Sequence, residues 1–226
     1  MLIHSDICGP APVSVSSGIR CFVIIVDDCT RMALLYLIKS KNEVARIFRS
    51  FHTMIKTQFS AELQILHSDN GEEYDNKELQ EYFQACGLYH ETICYQTPHQ
   101  NDVAEKKNRH ILETTWALLT AANAPLRFWT DVVTTAVYLL NRMSSRVLNF
   151  NTPLQALAHH VPLPSILMLP PKIIWMRSLC PSSQKSKNFI HMQSAAYSQA
   201  IHNIRRATDA MILQQDAFTS QWMLHF

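Results

Sequence analysis

Three carboxylates in this 226-residue chain stand where folding would hold them at the edges of secondary-structure elements. Asp6 lies in "IHSDICGP", at the end of a first apolar run. Asp69 lies in "LHSDNGEEY", just past the last apolar residue of another run. Glu105 lies in "NDVAEKKNRH", in the first turns of a basic helix, and 35 residues separate it from Asp69. Clustered carboxylates suit magnesium, a hard cation that prefers oxygen ligands and keeps several waters. Two such ions a few ångströms apart activate the attacking oxygen and stabilise the leaving one in phosphodiester chemistry. Taken singly, each residue has a plainer role: an Asp before Asn-Gly or near Gly-Pro serves a turn, and a Glu at a helix start complements the dipole. Their order and spacing together favour the metal reading.

The surrounding sequence contains the elements needed to position them. Residues 20–27, "RCFVIIVD", form an apolar run bounded by polar residues and predict a buried strand. Residues 31–38 predict a second strand, joined to the first by the short turn "DCT". Over 40–59 the apolar residues Val44, Ile47, Phe48, Phe51, Ile55 and Phe59 share one helical face, with Ser40 and Glu43 as a capping box. A short strand over 62–69 follows, then a helix over 75–87 with Asp75 or Asn76 as its N-cap and Gly87 as its stop, then a strand over 88–94. A long helix is expected over about 100–122. Another begins after Pro125, with Phe128, Trp129, Val132, Val133, Ala136, Val137 and Leu140 inward. This order is an α/β layout, with hairpin-like early strands and later crossovers.

Composition narrows the class further. The chain is 47% hydrophobic and 17% charged, which predicts a folded domain with a real core. Its net charge of +2 decides nothing about nucleic acid, because binding depends on where the charge sits. The six cysteines form no CxxC pair and read as buried free thiols in a reducing compartment. "MLIHSD" is too short and polar for a signal peptide, and prolines break the longest apolar run, so no membrane span is expected.

"HSDICGP", "VDDCTR", "LHSDNGEEY", "TPHQNDVAEKKNRHILE" and "FWTDVVTTAVYLLNR" occur in the order of the Ty1/copia-type retrotransposon integrases, which this chain resembles over residues 3–173. The resemblance implies an RNase H-like fold, a central mixed five-stranded sheet flanked by helices. It implies that Asp6, Asp69 and Glu105 are a D,D-35-E triad holding Mg2+ or Mn2+. The implied chemistry is 3′-end processing of the element's DNA, then attack of the new 3′-OH on target DNA. An RNase H-like nuclease and a non-catalytic relic of the polyprotein are the alternatives. The implied partners are retroelement ends and target DNA, with multimers working on paired ends and action in the nucleus.

Around the triad, Asn70 either orients a metal-bound water or caps the turn, and Gly71 lets the backbone turn sharply. Gln100 and Asn101 resemble the family's "QN", which lies close to DNA. Lys106 and His110 share a helical face and suit DNA phosphates, whereas Arg109 is spaced for an i, i+4 ion pair with Glu105. Asn108 falls near the apolar stripe and is expected to bond internally. Asp27 and Asp28 are expected to end the second strand and bond its turn.

Three features depart from the family pattern. Asp102 stands where the family has Gly, which would strain a backbone that needed positive φ. The zinc-binding segment that precedes such cores is not in this chain. After Lys172 the pattern stops: "IIWMRSLCP" stands where "VFGCVAFVH" is expected. One choice of codons for 174–181 encodes FGCVAFV in a shifted frame. Another, for 202–226, encodes QYKKGYRCYDPTTRRFHVSMDVTF at a different offset. The expected organisation is therefore a core over 1–160, the end of the in-frame region over 161–173, and an out-of-frame, irregular tail over 174–226. The lack of any glycine after Gly87 fits this in part, since roughly ten would be usual there.

Overall fold

In the run Cys21–Asp27 six successive residues are buried, which requires protein on both faces of the strand. The computed structural model describes residues 1–11, 15, 17–92 and 102–163, all within one compact unit, Met1–Met168. Its strands are β1 (Leu2–Cys8), β2 (Cys21–Asp27), β3 (Ala33–Ile38), β4 (Ile65–Ser68) and β5 (Tyr89–Thr92). Its helices are α1 (Val44–Gln58), α2 (Lys77–Cys86), α3 (Asp102–Ala121), α4 (Trp129–Leu140) and α5 (Pro153–Ala158). The sheet order is β3-β2-β1-β4-β5. β1 to β3 pair antiparallel, and β4 joins β1 and β5 in parallel. This is the RNase H-like α/β arrangement expected from the sequence.

The period of two along β2 divides the core into two layers. Val23 and Ile25 pack with Ile3 and Leu66 against Phe48 and Phe51 of α1 and Phe83 of α2. Phe22, Ile24 and Val26 point the other way, against Ile111 of α3 and Trp129, Val133 and Val137 of α4. In β1, Asp6 pairs with Ile24, whereas Ile7 packs in the first layer, so Asp6 belongs to the face covered by α3.

Local signals act as their chemistry predicts. Ser40 and Glu43 form the capping box, closing a 3-10 turn at Lys41–Glu43 that runs into α1. Asn76, rather than Asp75, caps α2 by accepting from Leu79 N at 2.7 Å, and Gly87 ends it at φ 68. Asp27 accepts from Thr30 N and Oγ1, holding the β2–β3 turn. Pro125 precedes a 3-10 turn at Leu126–Phe128 before α4 begins. Trp129 is buried as expected, while Phe128 is only half-buried beneath the Arg127 guanidinium.

Two expectations need correction. Cys8 and Cys21 are at least half-buried free thiols, but Cys29 and Cys86 are exposed, because they sit in a turn and on the outer side of a helix end. Asp102 is the first residue of α3, a helical position that does not call for Gly. Its carboxylate instead pairs with Lys106 at 2.7 Å, one turn on. Cys94, Cys180, Gln100, Asn101 and the expected tail from 174 lie outside the described residues. Among the described residues no helix is long and apolar enough to cross a membrane.

Candidate metal and nucleic-acid site

The parallel pairing of β1 and β4 aligns Leu2 with Ile65 and His4 with His67. Carried forward two residues, that register sets Asp6 beside Asp69, at the point where β4 ends and its chain turns away. Asp6 is half-buried and both its oxygens are engaged. Oδ1 accepts from the Ile7 N–H and Oδ2 accepts from Asn108 Nδ2, each at 2.8 Å. Asn108 is a buried polar residue of α3, and its bond reaches across to the sheet. The internal bond expected of Asn108 is therefore made to Asp6 itself.

Asp69 folds back on its own loop, accepting from the Gly71 N–H at 3.3 Å. Burial raises its carboxyl above the ordinary value; the negative charges of Asp6 and Glu73 add to the rise, while the Gly71 bond and Lys41 oppose it. Gly71 has no positive φ. Its lack of a side chain matters because a Cβ there would collide with the Glu73 carboxylate and lie 3.1 Å from Asp69 Oδ1. Asn70 is exposed beside them.

Sequence reasoning missed Glu73 and Lys41. Burial pushes the Glu73 carboxyl up, but its ion pair with the Lys41 ammonium outweighs that and holds it below its usual value. The bond to Glu73 in turn raises Lys41, and Asp69 adds to the rise. The signal was present in "NGEEY", whose second acidic residue lies four beyond Asp69, but nothing local paired it with a lysine from the 3-10 turn before α1. Tyr74, which follows, is fully buried and anchors the loop to β1. Ser5 Oγ spends its proton on the Ile24 carbonyl at 3.0 Å, so Tyr74 donates to Ser5.

Glu105 is on the exposed side of α3. Among the described residues no three of His, Cys, Asp and Glu come close enough to hold an ion, so Glu105 does not join Asp6 and Asp69 in this arrangement. Nor, among the described residues, does an ion pair join it to Arg109. The donor set still suits a hard cation in part. Two carboxylates placed side by side offer oxygen ligands, and their mutual repulsion is what a cation relieves. As arranged, Asp6 and Asp69 stand together and Glu105 stands apart from them. Lys106, bound to Asp102, and exposed His110 line a cleft together with Arg31 and Lys107.

Residues 2–98 match the integrase core domain family. Over 152 residues the chain is 39% identical to the retrovirus-related Pol polyprotein from transposon TNT 1-94 of Nicotiana tabacum, covering 67% of this chain and 11% of that protein. The chain belongs to the copia-type integrase cores. A second relative of this core, the Pol polyprotein from transposon RE1 of Arabidopsis thaliana, is 36% identical over 155 residues, covering 69% of this chain and 10% of that protein. The integrase core thus spans about a tenth of the length of the curated relatives it matches. Its fold is also that of the HTLV-2 integrase catalytic core domain in complex with magnesium, at TM-score 0.50 and 17% identity, covering 69% of this chain and 94% of that one. It is likewise that of the simian T-cell lymphotropic virus intasome, at TM-score 0.54 and 17% identity, covering 82% of this chain and 58% of that one.

Proposed function

We propose that this core serves DNA integration, processing the 3′ ends of retroelement DNA and joining them to target DNA. The observation that carries the reading is the register that sets Asp6 beside Asp69 on adjacent parallel strands of an integrase core. Asp6 and Asp69 would hold Mg2+ or Mn2+, with Glu105 as third ligand once the start of α3 brings it in. Bound there, the metal would supply Lewis-acid activation of the phosphodiester and of the attacking hydroxyl. The chain's own residues hold the carboxylates in place: Asn108 and the Ile7 N–H fix Asp6, and the Gly71 N–H fixes Asp69. Asn70, Gln100, Asn101, Lys106 and His110 would contact DNA. Insertion into chromosomal DNA implies action in the nucleus, as an oligomer on paired ends.

The test is strand transfer with magnesium and end-processed DNA, comparing this chain with its Glu105→Gln variant. Joined product from the parent and none from the variant supports the reading; equal signal from both sinks it. A second reading, a non-catalytic relic that retains nucleic-acid binding, is favoured by the outward placement of Glu105. It predicts DNA binding without joined or cut product. Cutting without joining identifies an RNase H-like nuclease instead.

A further inference from the structure

The start of α3, the β2–β3 turn and the segment after α4 enclose a cleft of about 390 Å³. Arg31, Lys106, Lys107 and His110 line it, and among the described residues no Asp or Glu does. Two of the three Lys and Arg side chains are balanced from outside the lining: Arg31 pairs with Asp28 at 2.9 Å and Lys106 with Asp102 at 2.7 Å. Lys107 is different. It is half-buried, its ammonium donates to the Arg31 carbonyl at 3.4 Å, and no carboxylate of the described residues pairs with it. A desolvated cation beside a second cation is a standing cost that an incoming anion would offset.

We propose that this cleft seats a backbone phosphate of DNA, with Lys107 and Arg31 beneath it and Lys106 and His110 at its rim. The inference rests on the integration reading and adds a subsite to it. Ser144 and Ser145 place hydroxyl groups in the lining, and Met143 and Val147, 55% and 70% exposed, give an apolar edge for the adjoining sugar. A continuous polyanion suits the position better than a lone carboxylate. Four of the five residues 106–110 are basic and they wrap around α3, so charge continues beyond the cleft. Lys107 also adjoins Asn108, whose amide holds Asp6. The cleft and Asp6 are thus reached from neighbouring sides of one helix about 10 Å across.

The test is binding of the full chain to a fluorescein-labelled DNA duplex in EDTA, titrated against salt, so that no chemistry is needed. Lys107→Met is compared with the parent and with Lys77→Met, which removes an exposed lysine of α2. The expected result is a roughly tenfold loss of affinity for Lys107→Met, with the log–log salt slope smaller by about 1, and no change for Lys77→Met. Thermal melting of Lys107→Met no lower than the parent's shows that the loss is not unfolding. Parent-like affinity and slope in Lys107→Met overturn the cleft proposal and leave the integration reading standing, because DNA is still bound. Displacement of the duplex by polyglutamate as readily as by unlabelled duplex identifies an acidic peptide as the occupant and overturns it too. A parent chain that binds no DNA overturns both.

Discussion

Asn108 and Asp6 are joined by a 2.8 Å hydrogen bond that ties the third helix to the central strand of the sheet. The carboxylate accepts and the amide donates, so the bond is charge-assisted and stronger than a neutral one. Asn108 also lies in the buried stripe of α3, among Ala104, Ile111, Thr115 and Leu119, and it is the one of these whose side chain bonds to the sheet rather than to its own helix. The same bond sets the distance between the strand that carries Asp6 and the helix that carries Glu105. It therefore couples stability to the geometry of the candidate site.

Removing that amide should cost stability and loosen the site. Asn108→Ala leaves Asp6 Oδ2 without its partner and opens a small void, an expected loss of about 1–3 kcal/mol. In a domain of this size each kcal/mol lowers Tm by about 2–4 °C. Scanning calorimetry measures the loss. The rise in Tm on adding MgCl2 should also be smaller in the variant, because Asp6 is then held by the Ile7 N–H alone.

His90 predicts a weakness to acid. Ser68 Oγ donates to the Asp69 carbonyl, so His90 Nε2 must donate to Ser68, at 2.8 Å. Nδ1 then accepts from Gln80 Nε2 at 3.1 Å, which only a neutral ring can do. Burial lowers the His90 pKa, with Asp75 opposing. A depressed folded value means that the contribution is present above the unfolded value of 6.5 and is lost as pH falls through the folded one. Chemical denaturation at pH 7.5 and 5 should show this loss in the parent and a shallower dependence in His90→Gln.

Asp102 is a substitution with a local gain. At the first position of α3 its charge complements the helix dipole and pairs with Lys106, contributions of a few tenths of a kcal/mol each. Asp102→Gly should lower stability by about 1 kcal/mol or less. It also frees the Lys106 ammonium and removes a negative charge from the start of the basic helix. Duplex affinity at low salt should rise several-fold, and that gain should vanish as salt screens the charges.

Most of the fold was legible because its signals are local. The β2 run is apolar on both faces, the α1 stripe has a helical period, and Ser40, Asn76 and Gly87 mark their helix ends. Of the candidate site, residue types and spacing suggested Asp6, Asp69 and Glu105; the β1–β4 register brings Asp6 and Asp69 side by side, while Glu105 stands apart. What could not be read were partners fixed only by tertiary structure. Lys41 meets Glu73 across the gap between α1 and the β4 loop, and Lys107 meets Arg31 across 76 residues of chain. The failure of Glu105 to pair with Arg109 has the same origin. Helical spacing permits the bond, but both side chains are exposed, and at the surface an ion pair gains little over water.

Asn141 is another such partner, and the most informative for stability. It was visible only as the polar end of "YLLNR". In the fold it is buried, and its side chain completes the outer edge of β3. Oδ1 accepts from Ala33 N at 3.0 Å and Nδ2 donates to Ala33 O at 2.7 Å, as a neighbouring strand would. Its own carbonyl accepts from Leu154 N, which docks α5 beside the same edge. Asn141→Leu keeps the branching of the side chain but strands a buried N–H and a buried C=O of Ala33, each costing about 1–3 kcal/mol. Asn141→Asp should be the milder change, since one carboxylate oxygen still accepts from Ala33 N while the other is forced against Ala33 O. Urea denaturation should therefore rank the parent above Asn141→Asp and Asn141→Leu, with amide exchange at Ala33 accelerated in both. Protection of Ala33 unchanged in the Leu variant would mean that the β3 edge is closed by something other than this side chain.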